Sequence, residues 1–439
     1  MTMNTTKKYI VQGGYELNGT IQARGAKNAI TKQLVASVLT DEPCIFNQVP
    51  RISEIDVVLD MLSDIGTVYE WLDGHTLRIQ TKQITNTSLS QKYSGVNRIP
   101  ILMLGPLIQR AGEATVPVLG GCRIGDRPVD FHLDALEIMG ATIEANDKGY
   151  TAAAVQLKGT HIELPYPSVG ATENIIMSAV LTPGTTIISN AAVEPEIIDT
   201  ILFLQKMGAL IQVDVDRRVV IEGVSRLHGT THRTVADRIE VASFAAAAVA
   251  TNGRIKVKDA QQSHMITYLN ILRKVGGGFE VEDDGITFFR AQEELLPAHI
   301  ETDVHPGFMT DWQQPFVVLL TQANGISVIH ETVYENRFGY TRTLSEMGAD
   351  ITLSSACLGS KPCRFTNHDY MHSCIVQGPT LLQSANIEIP DLRAGFAYLI
   401  AALCAVGTSE ITGIGYVERG YSQVPERLRS IGAHIEVVE

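Results

Sequence analysis

The chain's 439 residues exceed what one ordinary hydrophobic core takes in and predict two or three domains. With 45% hydrophobic and 19% charged residues the composition is globular rather than disordered; no apolar run, 244–249 and 397–406 included, approaches the roughly eighteen residues a bilayer requires, and the start MTMNTTKKYIVQGG has no apolar secretion signal. A formal charge of −13 argues against a nucleic-acid binder, yet leaves room for a local arginine pocket around a small anion.

Taken in order, six stretches share one plan of an apolar helix, a turn and a β-rich segment: 27–49, 97–119, 171–191, 237–260, 310–332 and 390–414. Each helix is apolar nearly all round and rich in small residues, so each is expected to be buried on most faces. Out of phase with these runs a second signature, L-x-x-Φ-G followed by alternating residues. It appears as MLSDIGTVYEW, LEIMGATIEA, LQKMGALIQV, LRKVGGGFEV, LSEMGADITL and LRSIGAHIEV, with glycines Gly66, Gly140, Gly208, Gly276, Gly348 and Gly432. A spacing of roughly 70 residues suits a repeated supersecondary unit. The glycine reads as a helix C′ residue and the run after it as a half-buried strand. The expectation is an α/β protein of six units in two pseudo-threefold domains, buried helices inside and sheets outside.

The apolar helices carry their polar residues at their N-terminal ends: Lys27 and Asn28, Arg98, Thr172 and Glu173, Asp237 and Arg238, Asp311, and Asp391 with Arg393. Helix N-termini that converge make an anion site from dipoles and unpaired N–H groups. That convergence would bring Lys27, Arg98, Asp311 and Arg393 together, with Thr172 and Asp237 as caps. Cys122 lies among Gly120, Gly121 and Gly125, five residues before Arg127. A thiol on a glycine-rich loop beside a cation suits a proton donor or nucleophile, or else a small hydrophobe in a turn. Six cysteines without a CxxC pair point to reduced thiols in a cytoplasm. Cys357, Cys363, His368, His372 and Cys374 lie close in sequence, but at irregular gaps that do not suit zinc, so they read as incidental polar residues of an extended loop.

Nine segments in order carry a resemblance: GAKNA (25–29), LGPL (104–107), GGCRIGDRPVDFH (120–132), SVGATENI (168–175), NAAVEPEIIDT (190–200), HPGFMTDWQ (305–313), ETVYENRF (331–338), DLRAG (391–395) and ERGY (418–421). The chain resembles, nearly end to end, the UDP-N-acetylglucosamine enolpyruvyl transferases. The resemblance implies the inside-out α/β barrel fold, with two domains of three repeated units and an active site in the cleft between them. Residues 1–27 and 236–439 would form the domain carrying Asp311, Arg393 and Arg419. Residues 28–235 would form the one carrying the Cys122 loop and the nucleotide segments.

It implies that the enolpyruvyl group of phosphoenolpyruvate passes to the 3′-hydroxyl of UDP-N-acetylglucosamine with release of phosphate, the first committed step of peptidoglycan synthesis. Cys122 would deliver a proton and be alkylated by the epoxide fosfomycin, and Asp311 would be the base at the hydroxyl. Lys27, Arg127, Arg419, Arg98 and Arg393 would hold the phosphate and carboxylate of phosphoenolpyruvate, with Lys27, Arg393 and Arg419 also catalytic. Asn28, Arg98, Arg127, Pro128, Val129, Asp130, Phe131, Ser168, Val169, Gly170, Asp311 and Val333 would meet the nucleotide sugar. No metal or organic cofactor is required, and a cytoplasmic monomer bound to neither nucleic acid nor membrane is expected. The alternatives are a paralogue acting on another uridine nucleotide and a catalytically silent UDP-sugar binder. The chain departs from the family at Met309, Trp312 and Pro315, at Asn97, Ile99 and Pro100, and in a longer segment at 354–385, expected to be a surface decoration.

Overall fold

The computed structural model describes residues 7–121 and 128–439; Cys122 and Arg127, and the expectations placed on them, lie outside the described residues. The described chain divides into two compact units, residues 7–24 with 236–439 and residues 25–121 with 128–235. The first crossing therefore falls before Lys27 rather than after it. The Arg24 amide donates to Glu240 of the first unit at 3.0 Å. Two residues later the Ala26 amide donates to the Val235 carbonyl of the second at 2.7 Å, and Lys27 opens a helix there.

In the unit of residues 7–24 and 236–439, three helices pack pairwise on one another: Arg238–Ala250, Gln313–Leu320 and Leu392–Cys404. Every residue of the first two is buried, and all of the third but Cys404. Alanine and glycine make such close contact possible, and Phe244 meets Phe396 edge-on at 5.2 Å between centroids. In the unit of residues 25–121 and 128–235 the corresponding helices are Lys27–Ala36, Leu104–Ala111 and Val169–Ala179. The last two pack on each other through Gly105, where a Cβ would lie 2.2 Å from Ser178 Oγ.

Each unit has three open sheets, and all six share one pairing pattern among the described residues. The strand after each buried helix lies parallel to an edge strand on one side and antiparallel, on the other, to the inner member of an antiparallel pair of strands. Gly325–His330, for example, runs parallel to His299–Glu301 and antiparallel to Ser373–Gly378, which in turn pairs with Asp350–Ser354. In the sheet of Glu113–Pro117 the parallel edge is reduced to a single bridge, Ser88 to Thr115. Elsewhere the edge strand precedes its own helix, but at the two crossings the edges are exchanged. Asn18–Gln22 pairs with Arg254–Lys258, and Thr231–Arg233 pairs with Cys44–Asn47. The six signature glycines all take φ between 95° and 105°, a backbone that a side chain rarely adopts and that ends the outer helix before its strand.

The connection 355–372 joins two paired strands and brings some of its cysteines and histidines together. Cys374 is buried in the core and His368 stacks on Tyr370 at 5.4 Å, whereas Cys357, Cys363 and His372 gather with His330 from the neighbouring strand. No described helix is long and apolar enough to cross a membrane.

Adding one methyl at Gly105 forces Ser178 to move and breaks its hydroxyl bond to the Asn174 carbonyl. Gly105→Ala is expected to destabilise the protein by about 1–2 kcal/mol despite alanine's better helix propensity. Thermal unfolding measures it, and partial recovery in Gly105→Ala with Ser178→Gly locates the clash. An unchanged melting temperature in the single variant would contradict the close approach.

Candidate active site

In the unit of residues 7–24 and 236–439, charge gathers at the N-terminal ends of the three buried helices. Asp237 caps Arg238–Ala250, its Oδ1 accepting from the amides of Ile239 at 2.9 Å and Glu240 at 3.3 Å. Asp391 caps Leu392–Cys404 in the same way, through the amides of Arg393 at 2.9 Å and Ala394 at 3.1 Å. Asp311, in the turn Thr310–Trp312 before the third helix, is held differently. Arg337 Nη2 donates to its Oδ1, and Arg393 Nε donates to its Oδ2 at 3.2 Å. The arginine side chains are 3% and 7% exposed against 17% for Asp311, so the carboxylate is the member of the cluster that reaches outward.

Burial works against the charge on Arg393, but Asp311, then Tyr421 and Asp237, hold its pKa above the ordinary value. Arg337 is raised against its burial in the same way, by Asp311, Asp391 and Glu331. The Tyr421 hydroxyl accepts from Arg393 Nη1 at 3.4 Å. Glu331 is fully buried and accepts from Thr310 Oγ1 and Gln313 Nε2, each at 2.8 Å, and from the amides of Val333 at 2.8 Å and Tyr334 at 3.1 Å. Burial nonetheless pushes the Glu331 carboxyl up. Both backbone groups of Val333 are thus engaged, since its carbonyl accepts from Arg364. Arg419 is half-buried at the end of the short helix Gly415–Glu418, two residues before the buried Tyr421.

In the unit of residues 25–121 and 128–235, Lys27 and Asn28 begin a buried helix, and the Asn28 carbonyl accepts from Lys32 Nζ at 2.7 Å. Arg98 Nη2 donates to the Pro128 carbonyl at 3.3 Å and holds the entry to the helix Asp130–Ile138. That helix starts with Asp130 and Phe131 behind a buried Val129, and packs on Val169–Ala179. Ser168 is the cap of the second helix, its hydroxyl accepting from the Ala171 amide at 3.4 Å, whereas Thr172, expected to cap, accepts from Ala192 at 3.0 Å. The contact is closest at Gly170, where a Cβ would come within 3.0 Å of the His132 ring. Burial, and then Arg98, push the His132 pKa down to about 3, so the imidazole stays neutral. Two helix N-termini, led by Pro128–Phe131 and Ser168–Gly170, therefore lie side by side, an arrangement suited to an anion.

Beneath them Glu173 is fully buried, with neither carboxylate oxygen hydrogen-bonded and Lys32 Nζ 3.8 Å away. Burial, partly offset by Lys32, pushes its pKa up to about 7. Sequence reasoning assigned no role to Glu331, Arg337 or Tyr421, although they stand in the ETVYENRF and ERGY segments, and none to Glu173 beyond a helix end. A buried polar residue inside each matched segment was the available signal.

The fold is one that carboxyvinyl transferases share. A family model described as EPSP synthase (3-phosphoshikimate 1-carboxyvinyltransferase) matches residues 11–428. The enolpyruvyl transferase NikO from Streptomyces tendae shares the fold with a TM-score of 0.87 at 22% identity over 99% of both chains. EPSP synthase from Acinetobacter baumannii gives 0.78 at 18% identity, over 99% of this chain and 100% of its own. The UDP-N-acetylglucosamine 1-carboxyvinyltransferase of Protochlamydia amoebophila is 52% identical over 98% of this chain and 94% of its own length, and that of Chlamydia abortus 47% identical over 98% and 97%. The chain belongs to the UDP-N-acetylglucosamine 1-carboxyvinyltransferase family.

Two outcomes follow from the buried charges. Arg337→Ala leaves Asp311 and Glu331 without their shared cation and is expected to cost about 3 kcal/mol or more in urea unfolding, with Arg337→Lys recovering part. A midpoint that does not move would contradict the cluster. Glu173 titrates near pH 7 when folded but near 4.5 when exposed, so between those values the folded state binds more protons and stability falls as pH rises. Glu173→Gln is expected to remove that loss, gaining about 3 kcal/mol above pH 7 and little at pH 4.5. Parallel stability profiles for the two proteins would rule it out.

Proposed function

We propose that the chain transfers the enolpyruvyl group of phosphoenolpyruvate to the 3′-hydroxyl of UDP-N-acetylglucosamine, releasing phosphate, as the first committed step of peptidoglycan synthesis in the cytoplasm. The observation that carries this reading is the Asp311 carboxylate, fixed through both oxygens by Arg337 and Arg393 at the head of a buried helix. The names of the 52% and 47% identical relatives support UDP-N-acetylglucosamine as the acceptor and a carboxyvinyl group as what is transferred. The shared pairing pattern of the six sheets supports six repeated units, three to a domain, of the inside-out barrel.

In this reaction carbon 3 of phosphoenolpyruvate gains a proton and carbon 2 becomes electrophilic. The sugar oxygen bonds carbon 2 as its proton passes to Asp311. Loss of phosphate together with a proton from carbon 3 restores the double bond. Asp311 suits the base because two guanidiniums fix its position while it stays more exposed than either of them, within reach of a hydroxyl. Arg393, kept charged in spite of burial, with Lys27, Arg98, Arg127 and Arg419, offsets the charge of phosphate and carboxylate. Cys122 delivers the proton to carbon 3. The nucleotide sugar is held by Asn28, by Pro128–Phe131 and Ser168–Gly170, whose adjoining helix N-termini take the diphosphate, and by Val333.

Phosphate release from phosphoenolpyruvate by the purified chain tests the reading. Release is expected only with UDP-N-acetylglucosamine; release with a different UDP-sugar alone moves the acceptor, and none with any acceptor rejects the reaction. Asp311→Asn is expected to fold and to lose about 10²–10⁴ of the turnover. Fosfomycin is expected to add one inhibitor mass at Cys122 and none in Cys122→Ala; modification confined to other cysteines would reject the role given to Cys122.

A further inference from the structure

We propose that His330, Cys357, Cys363 and His372 bind one structural zinc ion that staples the 355–372 connection to the sheet beneath it. The Nε2 or Nδ1 and Sγ ligand atoms of these four residues all lie within 4.8 Å of one another. Bonds of about 2.0–2.3 Å in a tetrahedral zinc site give ligand-to-ligand edges of about 3.3–3.8 Å. Cys357 Sγ and His372 Nε2 are already 3.4 Å apart. The irregular sequence spacing that spoke against a metal loses its force, because one ligand comes from the strand Gly325–His330 and the others from the connection.

The hydrogen bonds around the cluster set both imidazoles in the ligating tautomer. The Ser373 hydroxyl donates to the Ala356 carbonyl at 2.7 Å, so at 2.9 Å it can only accept from His330, which places that proton on Nδ1. His330 Nε2 is then a bare lone pair, and it is buried with no hydrogen-bond partner, an expensive arrangement unless a cation completes it. His372 Nδ1 donates to the Tyr370 carbonyl at 2.7 Å, which turns its Nε2 lone pair to the same point. The Cys363 sulfur accepts from the Phe365 amide at 3.4 Å, which fixes its position in the cluster.

Two thiolates and two imidazoles select zinc among the common divalent ions, and four protein ligands leave no position for a substrate, which makes the site structural. Uptake releases the two thiol protons, so the bound site is electrically neutral. The staple also sets what the connection touches. Arg364 donates to the Val333 carbonyl and pairs with Glu335 at 3.2 Å, and Glu301 accepts from the Ser360 amide and hydroxyl at 2.7 Å and the Lys361 amide at 3.1 Å.

The test uses the untagged full chain, purified under reducing conditions without chelator. Elemental mass spectrometry is expected to find about one zinc per chain, and cobalt(II) in its place to give thiolate-to-metal charge-transfer absorption. Cys357 is exposed and Cys363 half-exposed, so the double variant Cys357→Ser, Cys363→Ser leaves the core intact. It is expected to keep its circular dichroism while losing the zinc and the cobalt band. A reduced chain that takes up no zinc when supplied with an equimolar amount, or a double variant that retains it, would overturn the assignment.

Discussion

A helix buried on every side has nowhere to put a charge except at its ends, and that constraint organises the whole protein. Arg238–Ala250 and Gln313–Leu320 bury every residue, so their flanks are restricted to small and apolar side chains. The polar groups the chemistry needs are pushed to the N-terminal turns, where unpaired amides already face outward. Two of these ends are closed by aspartates that serve as caps. At the third, two arginines, Arg337 and Arg393, donate to the Asp311 carboxylate.

The two units handle negative charge by different means. Residues 7–24 and 236–439 bring guanidiniums, expensive to bury and therefore tied to Asp311, Tyr421 and one another's neighbours. Residues 25–121 and 128–235 carry Lys27 and Arg98 and add adjoining helix N-termini, whose partial charge needs no counter-ion. The neutral His132 between them keeps the helices in contact without adding charge.

Much of the repeat was legible in the sequence because it rests on local rules. The six glycines needed a backbone only glycine takes easily, and the apolar helices announced their burial by lacking a polar face. Asp311 and Arg393 were legible as helix ends, and they meet. What stayed hidden depends on pairing across long stretches of chain. Arg337 looks like any surface arginine until it reaches Asp311, and His330 is an alternating strand residue until Ser373 turns its ring. The exchange of edge strands, which moves Lys27 to the other unit, leaves no trace in periodicity, because either edge would satisfy the same alternation.

That exchange also dictates an order of events during synthesis. Residues 25–235 contain every strand and helix of one unit, so that unit can close while the ribosome is still translating the rest. The strand Lys8–Gln12 emerges before any of it, yet both its neighbours, Thr408–Thr412 and His434–Val438, are made only after that unit is complete. For nearly the whole of translation this first strand carries two unpaired edges destined for the middle of a sheet, the situation in which chaperone capture or mispairing is most probable. An early strand has to wait for two late ones.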